Sequence, residues 1–252
     1  MAEKSWVVMT GSSRGIGAQL RQQLRQDYNL ILLNRSLCPK KEKGEIEISW
    51  DCSLSLNQNN WEGLKETLKD KDIAGFVHCA GQLGPMTKPS TSDYETYWEH
   101  YKKAMAVNFY CGVELCTGLT PFILKSKQRN KFLLHLSSGA AKNPYPAWEA
   151  YCSSKSAMLM HFRCLATSYN PDELLVLSIA PGTVMTDMMQ SVLAADPSEF
   201  QLLSKFENLK EAGQLVNPSV PAERIAGLLR SSLEELAPLH GGFFDLRKGL
   251  QS

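Results

Sequence analysis

Short, continuous runs of apolar residues alternate along the chain with longer segments whose apolar residues recur at helical spacing. Seven runs predict strands, at residues 6–10, 30–34, 45–50, 75–78, 132–136, 174–179 and near 243–244. Helices are predicted between them, through about residue 27, from about 61, over about 92–124 with a possible break, over about 150–169, and near 199–212 and 221–235. Because the strands are apolar throughout, both faces of their sheet must be covered. The pattern predicts a doubly wound α/β fold, with a mostly parallel sheet and helices on both faces.

Nothing in the sequence divides the chain into separate units. Of its 252 residues 43% are hydrophobic, which is enough for a sizeable core and excludes wholesale disorder. No Pro-, Gly- or Ser-rich linker and no internal repeat interrupts the pattern of strands and helices. We therefore expect residues 1–252 to form a single domain.

Charge and cysteine content narrow the range of partners. The chain has 27 basic and 26 acidic residues without a long run of either sign, so nothing favours binding to nucleic acid or to a membrane surface. No apolar run approaches the ~18 residues of a membrane span, and the start of the chain lacks a signal-peptide layout. Seven cysteines without a CxxC pair indicate reduced thiols, and five histidines show no metal-ligand spacing. These features predict a cytoplasmic protein without a metal site and without nucleic-acid or membrane partners.

A glycine-rich turn follows the first predicted strand and reads Thr10, Gly11, Ser12, Ser13, Arg14, Gly15, Ile16, Gly17. Glycines let the backbone turn tightly and approach a pyrophosphate, to which the next helix presents the free N–H groups of its N-terminus. The spacing differs from the common GxGxxG pattern, so the position between strand and helix supports the prediction. We interpret residues 11–17 as a dinucleotide-binding turn of a Rossmann-like fold, with a tight turn that binds no ligand as the alternative.

The end of the second strand indicates which nicotinamide coenzyme is bound. Specificity for NAD usually requires an acidic residue there, whereas this chain has Asn34 and Arg35. Guanidinium and hydroxyl groups would suit the 2′-phosphate of NADPH/NADP, and the candidates are Ser12, Ser13, Arg14, Asn34 and Arg35. A merely solvated Arg35 is the alternative. Asp51 and Cys52, just after the third strand, are placed to touch the adenine edge, unless they are simply exposed loop residues.

A tyrosine and a lysine four residues apart are the candidates for the chemistry. Among eight tyrosines only Tyr151 is followed by a lysine at this distance, Lys155, and on a helix the spacing places phenol and ammonium on one face. The ammonium would favour phenolate and lower the pKa of Tyr151, so that the phenol can give or take a proton. Ser138, at the end of the fifth strand, is placed to hydrogen-bond a substrate carbonyl. Asn108 in the central helix is a fourth candidate; a solvent-facing or kink-capping role is its alternative.

In this order and spacing, the TGxxxGIG turn, Asn108, Ser138, Tyr151 and Lys155 resemble the short-chain dehydrogenase/reductase family over essentially the whole chain. The resemblance implies that Tyr151 is the catalytic acid/base and that Lys155 binds the nicotinamide ribose and lowers the pKa of Tyr151. It implies that Ser138 orients the carbonyl and that Asn108 holds a water in a proton relay. Further cofactor contacts that it implies are Ala80, Gly81, Pro181, Gly182, Val184 and Thr186. The chain departs from the family at Cys79, where asparagine is usual, which puts a sheet-bracing hydrogen bond in question.

Within this family, five stretches are similar to the sepiapterin reductase group, at residues 80–84, 148–152, 181–190, 209–216 and 240–245. This likeness implies an NADPH-dependent reductase of a small-molecule carbonyl substrate, with Asp245 anchoring an amino-pterin ring; an aspartate that closes a surface strand is the alternative. It also implies a homodimer built on the long helices that contain Asn108 and Tyr151. Other hypotheses are a reductase of benzil-like 1,2-diketones or other bulky carbonyls, and a non-catalytic NADPH-sensing protein. Residues 187–206 are a candidate lid.

Overall fold

The protein is described by a computed structural model that covers residues 4–37 and 42–248. Its strands form a seven-stranded sheet with the order β3-β2-β1-β4-β5-β6-β7, in which every neighbouring pair is parallel. The strands are β1 (Trp6–Thr10), β2 (Asn29–Asn34), β3 (Glu45–Ser49), β4 (Ile73–His78), β5 (Phe132–Leu136), β6 (Leu175–Ala180) and β7 (Phe243–Asp245). The predicted doubly wound, Rossmann-like α/β fold is confirmed.

The helices connect these strands and cover both faces of the sheet. They are α1 (Gly15–Leu24), α2 (Trp61–Leu68), α3 (Tyr94–Met105), α4 (Cys111–Leu124), α5 (Glu149–Ala166), α6 (Asp187–Leu193), α7 (Leu203–Glu211), α8 (Ser219–Arg230) and α9 (Leu233–Leu236). The break predicted in the long central helix is a π-helical turn, Ala106–Tyr110. It joins α3 directly to α4, with no loop between them. Helix α6 lies in the candidate lid segment and was not predicted.

A separate apolar layer covers each face of the sheet. On one face the strands pack against α1 and α8, through fully buried residues such as Leu20 and Ile225. On the other face they pack against α2, α4 and α5, with Leu115 and Phe162 among the buried residues. Burying one such side chain contributes roughly 1.5–3 kcal/mol, so these two layers provide most of the stability of the fold.

The helical stretch Tyr94–Leu124 is long and apolar enough, by composition, to cross a membrane. In the fold it is a core helix, because Leu115, Leu119 and Ile123 are completely buried against the sheet. Cys111 and Cys116 lie in the same buried layer as packing residues. Cys38 lies outside the described residues, and the other six cysteines are unpaired thiols.

The strand order reverses between β1 and β4, which places a crevice at the carboxyl edge of the sheet. In open parallel sheets ligands bind outside the strand ends at such a point. Residues predicted from the sequence to be functional follow β1, β4, β5 and β6 at this same edge. The fold therefore gathers them around one crevice.

Candidate active site

The turn between β1 and α1 lies against the segment that follows β4. Gly11 has a φ of +66°, and a Cβ there would come within 2.5 Å of the Ala80 nitrogen. A Cβ at Gly17 would lie 2.0 Å from the Gly11 carbonyl oxygen, so the first turn of α1 packs directly on the end of β1. Arg14, at the N-cap of α1, makes no side-chain capping hydrogen bond. A helix start without a side-chain acceptor, next to glycines in close contact, fits the pyrophosphate of a dinucleotide.

Ser12 and Asn34 bind each other at this edge. The Asn34 Oδ1 accepts hydrogen bonds from the Ser12 N–H (3.0 Å) and hydroxyl (3.1 Å), and the Asn34 Nδ2 lies 2.8 Å from the same hydroxyl. Both residues are buried. Their side chains thus brace the glycine-rich turn against β2, and a phosphate contact by either residue stays a prediction.

The remaining candidates for the 2′-phosphate, Ser13, Arg14 and Arg35, are exposed. Arg14 lies 3.4 Å from the Asp187 carboxylate, in an exposed pair that water screens. Although burial raises the pKa of Asp51, hydrogen bonds from Ser53 and the nearby Arg35 charge bring it below its ordinary value. Arg35 and Asp51 therefore lie within electrostatic range of each other at the predicted adenosine end.

Cys52, the other residue predicted for the adenine edge, is half-buried. It packs against the apolar layer that contains Cys111. The cysteine is beside Asp51, whose carboxylate accepts bonds from the Ser53 N–H (2.8 Å) and hydroxyl (2.7 Å). An adenine contact by Cys52 stays a prediction.

Helix α5 and the end of β5 bring the predicted catalytic side chains together. Tyr151 and Lys155 lie one turn apart on the buried face of α5, with the Lys155 Nζ 5.7 Å from the centre of the Tyr151 ring. The Lys155 Nζ donates a 2.8 Å hydrogen bond to the carbonyl oxygen of Leu136, the last residue of β5. Ser138, two residues further on, hydrogen-bonds the phenol of Tyr151. The three residues form one group beside the crevice.

Burial controls the ionisation of this group. Burial raises the pKa of Tyr151 to about 12, and the hydrogen bond with Ser138 only partly offsets it. Burial likewise lowers the pKa of Lys155 to about 8. The sequence predicted that the ammonium would lower the pKa of Tyr151, and the structure shows the opposite sign, because desolvation dominates and the ammonium bonds Leu136. Near pH 7 Tyr151 is a neutral phenol, the form that can donate a proton.

Asn108 is fully buried in the π-helical turn between α3 and α4. Its Oδ1 accepts a hydrogen bond from the Gln82 N–H (2.8 Å), and its Nδ2 donates to the Gln82 carbonyl (2.8 Å) and the Ser154 hydroxyl (2.9 Å). A Cβ at Gly81 would lie 3.6 Å from the Asn108 Oδ1 and 3.7 Å from the Lys155 Nζ. Asn108 therefore holds the segment after β4 beside the lysine and does not face solvent. Single π-helical turns are often found at functional sites.

The segment after β6 reaches back to the glycine-rich turn. Gly182 has a φ of +87°, and Val184 pairs with Val216 in an isolated parallel bridge. Thr186 caps α6 by accepting a 3.3 Å hydrogen bond from the Met189 N–H. A Cβ at Gly15 would lie 3.3 Å from the Thr186 Cγ2, so two of the predicted cofactor-binding segments are in contact.

Asp245, at the end of β7, is paired with Arg247. Its carboxylate accepts hydrogen bonds from the Arg247 backbone N–H (3.0 Å), Nε (3.0 Å) and Nη2 (2.6 Å). The Asp245 side chain is 9% exposed and that of Arg247 is 60% exposed. A direct contact of Asp245 with substrate stays a prediction, and the more accessible group of the pair is the guanidinium.

The sequence matches the model of the short chain dehydrogenase family over residues 5–197. The chain belongs to this family. A benzil reductase ((S)-benzoin forming) of Saccharomyces cerevisiae is 30% identical over 263 residues, which cover 93% of this chain and 98% of the relative. The sepiapterin reductase of Xenopus laevis is 29% identical over 264 residues, with 94% and 95% covered. The crystal structure of the KRED1-Pglu enzyme superposes with a TM-score of 0.81 and 30% identity, over 95% of this chain and all of the other.

Membership in the short chain dehydrogenase family makes this protein an oxidoreductase with a nicotinamide coenzyme, and NADP fits the residues at its cofactor end. Residues 11–17 and the Tyr151–Lys155 pair both lie within the matched range. The fold and these motifs thus agree on where the coenzyme binds.

Thr10 joins the ends of β1 and β4 around Cys79, where the chain departs from the family. The Thr10 hydroxyl lies 2.9 Å from the His78 Nδ1 and accepts a 3.3 Å hydrogen bond from the Ala80 N–H. The Cys79 N–H donates to the Thr10 carbonyl at 3.3 Å. The ends of the two strands are therefore braced by bonds of Thr10.

A cluster of aromatic residues that was not predicted from the sequence contacts Tyr151 through Trp148. Trp148 contacts Tyr151 edge to face with centroids 5.6 Å apart, and it stacks on Phe200 (5.4 Å) and Phe206 (5.5 Å) from the candidate lid segment. Tyr145 lies 5.2 Å from Trp148, and its hydroxyl is 3.6 Å from the position of a Cβ on Gly139, next to Ser138. The sequence contains a signal for the contact between Trp148 and Tyr151, because the two residues are three positions apart, about one helical turn.

Proposed function

We propose that the protein is an NADPH-dependent carbonyl reductase of the sepiapterin reductase type, which reduces a pterin side-chain ketone with Tyr151 as the proton donor. The observation that carries the proposal is the grouping of Tyr151, Lys155 and Ser138 at the crevice where the glycine-rich turn begins α1. Similarity to sepiapterin reductases over nearly the whole chain supports the substrate class.

Three groups of the chain have separate tasks in this reaction. NADPH, held by the glycine-rich turn and the exposed Arg14 and Arg35, supplies the hydride when it is bound. Ser138 hydrogen-bonds the substrate carbonyl and Tyr151 protonates its oxygen, because a phenol with a pKa near 12 is fully protonated at neutral pH. Lys155 is held by Leu136 and places a positive charge 5.7 Å from the phenol ring, where it stabilises the phenolate that proton transfer leaves behind.

A second candidate substrate is an aromatic 1,2-diketone such as benzil. Benzil reductases match this chain at 27–30% identity, as closely as the sepiapterin reductases do. In the aromatic cluster Trp148, Phe200 and Phe206 are buried, which leaves the half-buried ring of Tyr145 to contact either substrate. The third hypothesis, a non-catalytic NADPH sensor, does not require a buried tyrosine and serine in hydrogen-bond contact.

We further propose a cytoplasmic homodimer. The six free cysteines of the described residues suit a reducing compartment. Tyr94, Trp98, Tyr110 and Met160 are large apolar side chains left exposed on α3, the π-helical turn and α5. An apolar surface of this kind on the long helices supports contact with a second copy.

The test follows NADPH consumption with sepiapterin and with benzil, for the wild type and for Tyr151→Phe. General acid catalysis typically contributes about 10²–10⁴-fold, so Tyr151→Phe should lose at least about 100-fold in kcat with either ketone. Tyr169→Phe, at a half-buried tyrosine beyond the end of α5, is the control and should match the wild type. Equal rates for wild type and Tyr151→Phe would refute the mechanism, and wild-type NADPH binding without turnover of any carbonyl would favour the sensor.

A further inference from the structure

The pair of Asp245 and Arg247 exposes a positively charged guanidinium group at the end of β7. Two donors of the guanidinium, Nε and Nη2, are held by the Asp245 carboxylate, which is largely buried beneath it. The guanidinium carries five N–H donors in a fixed plane, so donors remain for a ligand once the carboxylate is satisfied. Asp245 thus fixes the plane of Arg247, whose side chain is 60% exposed.

Arg247 lies beside the segment that the mechanism uses. A Cβ at Gly182 would come within 3.0 Å of the Arg247 Cγ and Cδ, so the arginine stem crosses the turn after β6. Asp245 has the largest effect in raising the pKa of Arg247, and burial has the largest effect in raising that of Tyr151; Tyr145 adds a smaller contribution to each. Tyr145 therefore lies within electrostatic range of both residues. Tyr145 also contacts Trp148, and Trp148 contacts Tyr151. Tyr145 thus lies within electrostatic range of the guanidinium and in ring contact with Trp148, which contacts Tyr151.

Two further cations lie over aromatic rings, one over a ring of the cluster and one over a ring of β7. The Lys205 Nζ lies 5.1 Å from the centre of the Tyr145 ring, and the Lys142 Nζ lies 5.2 Å from the Phe243 ring on β7. Both lysines are exposed. Glu149, the acidic residue at the start of α5, is instead hydrogen-bonded to Tyr97 of α3. With Asp245 neutralising one of the three cations, the rim formed by Lys142, Lys205 and Arg247 keeps an excess of positive charge.

We propose that this rim makes the site selective for aromatic ketones that carry a carboxylate, with Arg247 binding the carboxylate and Asp245 acting as its positioning residue. The inference rests on the proposed carbonyl reductase function and names a further substrate class for it. The aromatic ring would lie on the half-buried Tyr145, while the ketone reaches Ser138 and Tyr151. A charged hydrogen bond to a guanidinium then distinguishes an acid from its neutral ester.

The experiment compares phenylglyoxylate with its methyl ester, at saturating NADPH, in the wild type and Arg247→Met. The two substrates share the ketone and the ring and differ in charge, so the effect of the substitution on each gives the contribution of that charge. We expect Arg247→Met to lower kcat/KM for the acid by about 10–100-fold and for the ester by less than about threefold, as a lost hydrogen bond to a charged group implies. Arg247→Lys should restore part of the activity toward the acid. Benzoate should inhibit the wild type competitively and Arg247→Met much more weakly.

The matched control is Arg230→Met, because Arg230 also pairs with an aspartate, Asp27, but on the far side of α8. It should leave both substrates unchanged. Salt gives a second measurement that a merely structural role would not affect: raising the ionic strength should lower kcat/KM for the acid and not for the ester. Asp245→Asn should also weaken the acid selectively, by a smaller factor than Arg247→Met.

The outcomes separate this inference from the proposed function. If the wild type reduces the ester or benzil but Arg247→Met changes acid and ester equally, the carboxylate site is refuted and the reductase stands. If no carbonyl is reduced, the proposed function itself is refuted. Loss of sepiapterin turnover in Asp245→Asn, together with unchanged turnover in Arg247→Met, would overturn the assignment in favour of the carboxylate as the direct anchor.

Discussion

Replacing Asn108 by alanine removes three hydrogen bonds from a completely buried position. The bonds to the Gln82 N–H, the Gln82 carbonyl and the Ser154 hydroxyl are 2.8, 2.8 and 2.9 Å long. Each buried hydrogen bond contributes roughly 1 kcal/mol net, and each partner left unsatisfied costs about 1–3 kcal/mol. We therefore expect Asn108→Ala to lower the free energy of unfolding by about 3 kcal/mol, measured by urea denaturation of the cofactor-free protein.

Ser154→Ala allows the bonds to be separated. The Ser154 hydroxyl accepts from Asn108 and donates to the Tyr151 carbonyl at 2.9 Å, so its loss alone should cost about 1 kcal/mol. Because both residues share one bond, the double variant should be less destabilised than the sum of the single ones, by about 1 kcal/mol. Asn170→Ala, at an exposed position, is the control and should change stability by less than about 0.5 kcal/mol.

Asn108→Ala should reduce activity by more than its loss of stability explains. Asn108 holds Gln82, and the preceding Gly81 lies beside the Lys155 Nζ. Under conditions where Asn108→Ala is fully folded, kcat/KM should fall by at least about tenfold, as is typical of misplaced catalytic groups. A variant within about 1 kcal/mol of the wild type, or one folded and fully active, would refute the bracing role of Asn108.

Two further predictions concern the coenzyme and the pH dependence of stability. Arg35→Asp should shift the ratio of kcat/KM for NADPH over NADH by at least about tenfold toward NADH, since a carboxylate repels a 2′-phosphate; an unchanged ratio would mean that Arg35 does not contact it. Burial lowers the pKa of His78 from 6.5 to about 3. Below pH 6.5, therefore, His78 binds a proton in the unfolded chain but not in the folded protein. Stability should therefore fall as the pH drops through this window, by up to about 1.4 kcal/mol per pH unit from this residue. Urea titrations between pH 7 and 4 measure the slope, which should be shallower in His78→Gln; identical slopes would show that His78 is not the group responsible.

The fold was predictable because its strands are continuous apolar runs. β1 and β5 have the predicted bounds, Trp6–Thr10 and Phe132–Leu136, and both are buried over nearly their whole length. Helix α6 escaped prediction because it is a short, Met-rich segment that packs with the aromatic cluster around Trp148. A break in the central helix was predicted, but not its form as a π-helical turn at 106–110, where Asn108 bonds the distant Gln82.

The proximity of the candidate catalytic side chains was predictable because helical spacing fixes it. A spacing of four residues from Tyr151 to Lys155 places both side chains on one face of any helix. The spacing gives no information about the environment of each side chain. The sign of the pKa shift of Tyr151 depends on burial, and the pairing of Asp245 with Arg247 depends on rotamers at the end of β7. Ala147, with a φ of 60°, shows the same for the backbone, because an alanine gives no sign of a left-handed conformation.

The candidate site has parts held by main chain and parts formed by side chains, and relatives of similar identity carry different substrate names. Lys155 bonds the Leu136 carbonyl, Asn108 bonds both backbone groups of Gln82, and Thr10 bonds the Ala80 N–H, so the reactive group is fixed by main chain at strand ends. The opposite wall consists of side chains, from the aromatic cluster to Arg247. Under the proposed function, substitutions there leave the main-chain bonds intact and change which carbonyl compound fits. The proposed reduction thus depends on groups held by main chain at the strand ends, and we expect the substrate to be decided by a few side chains on β7, the Tyr145 loop and the segment after β6.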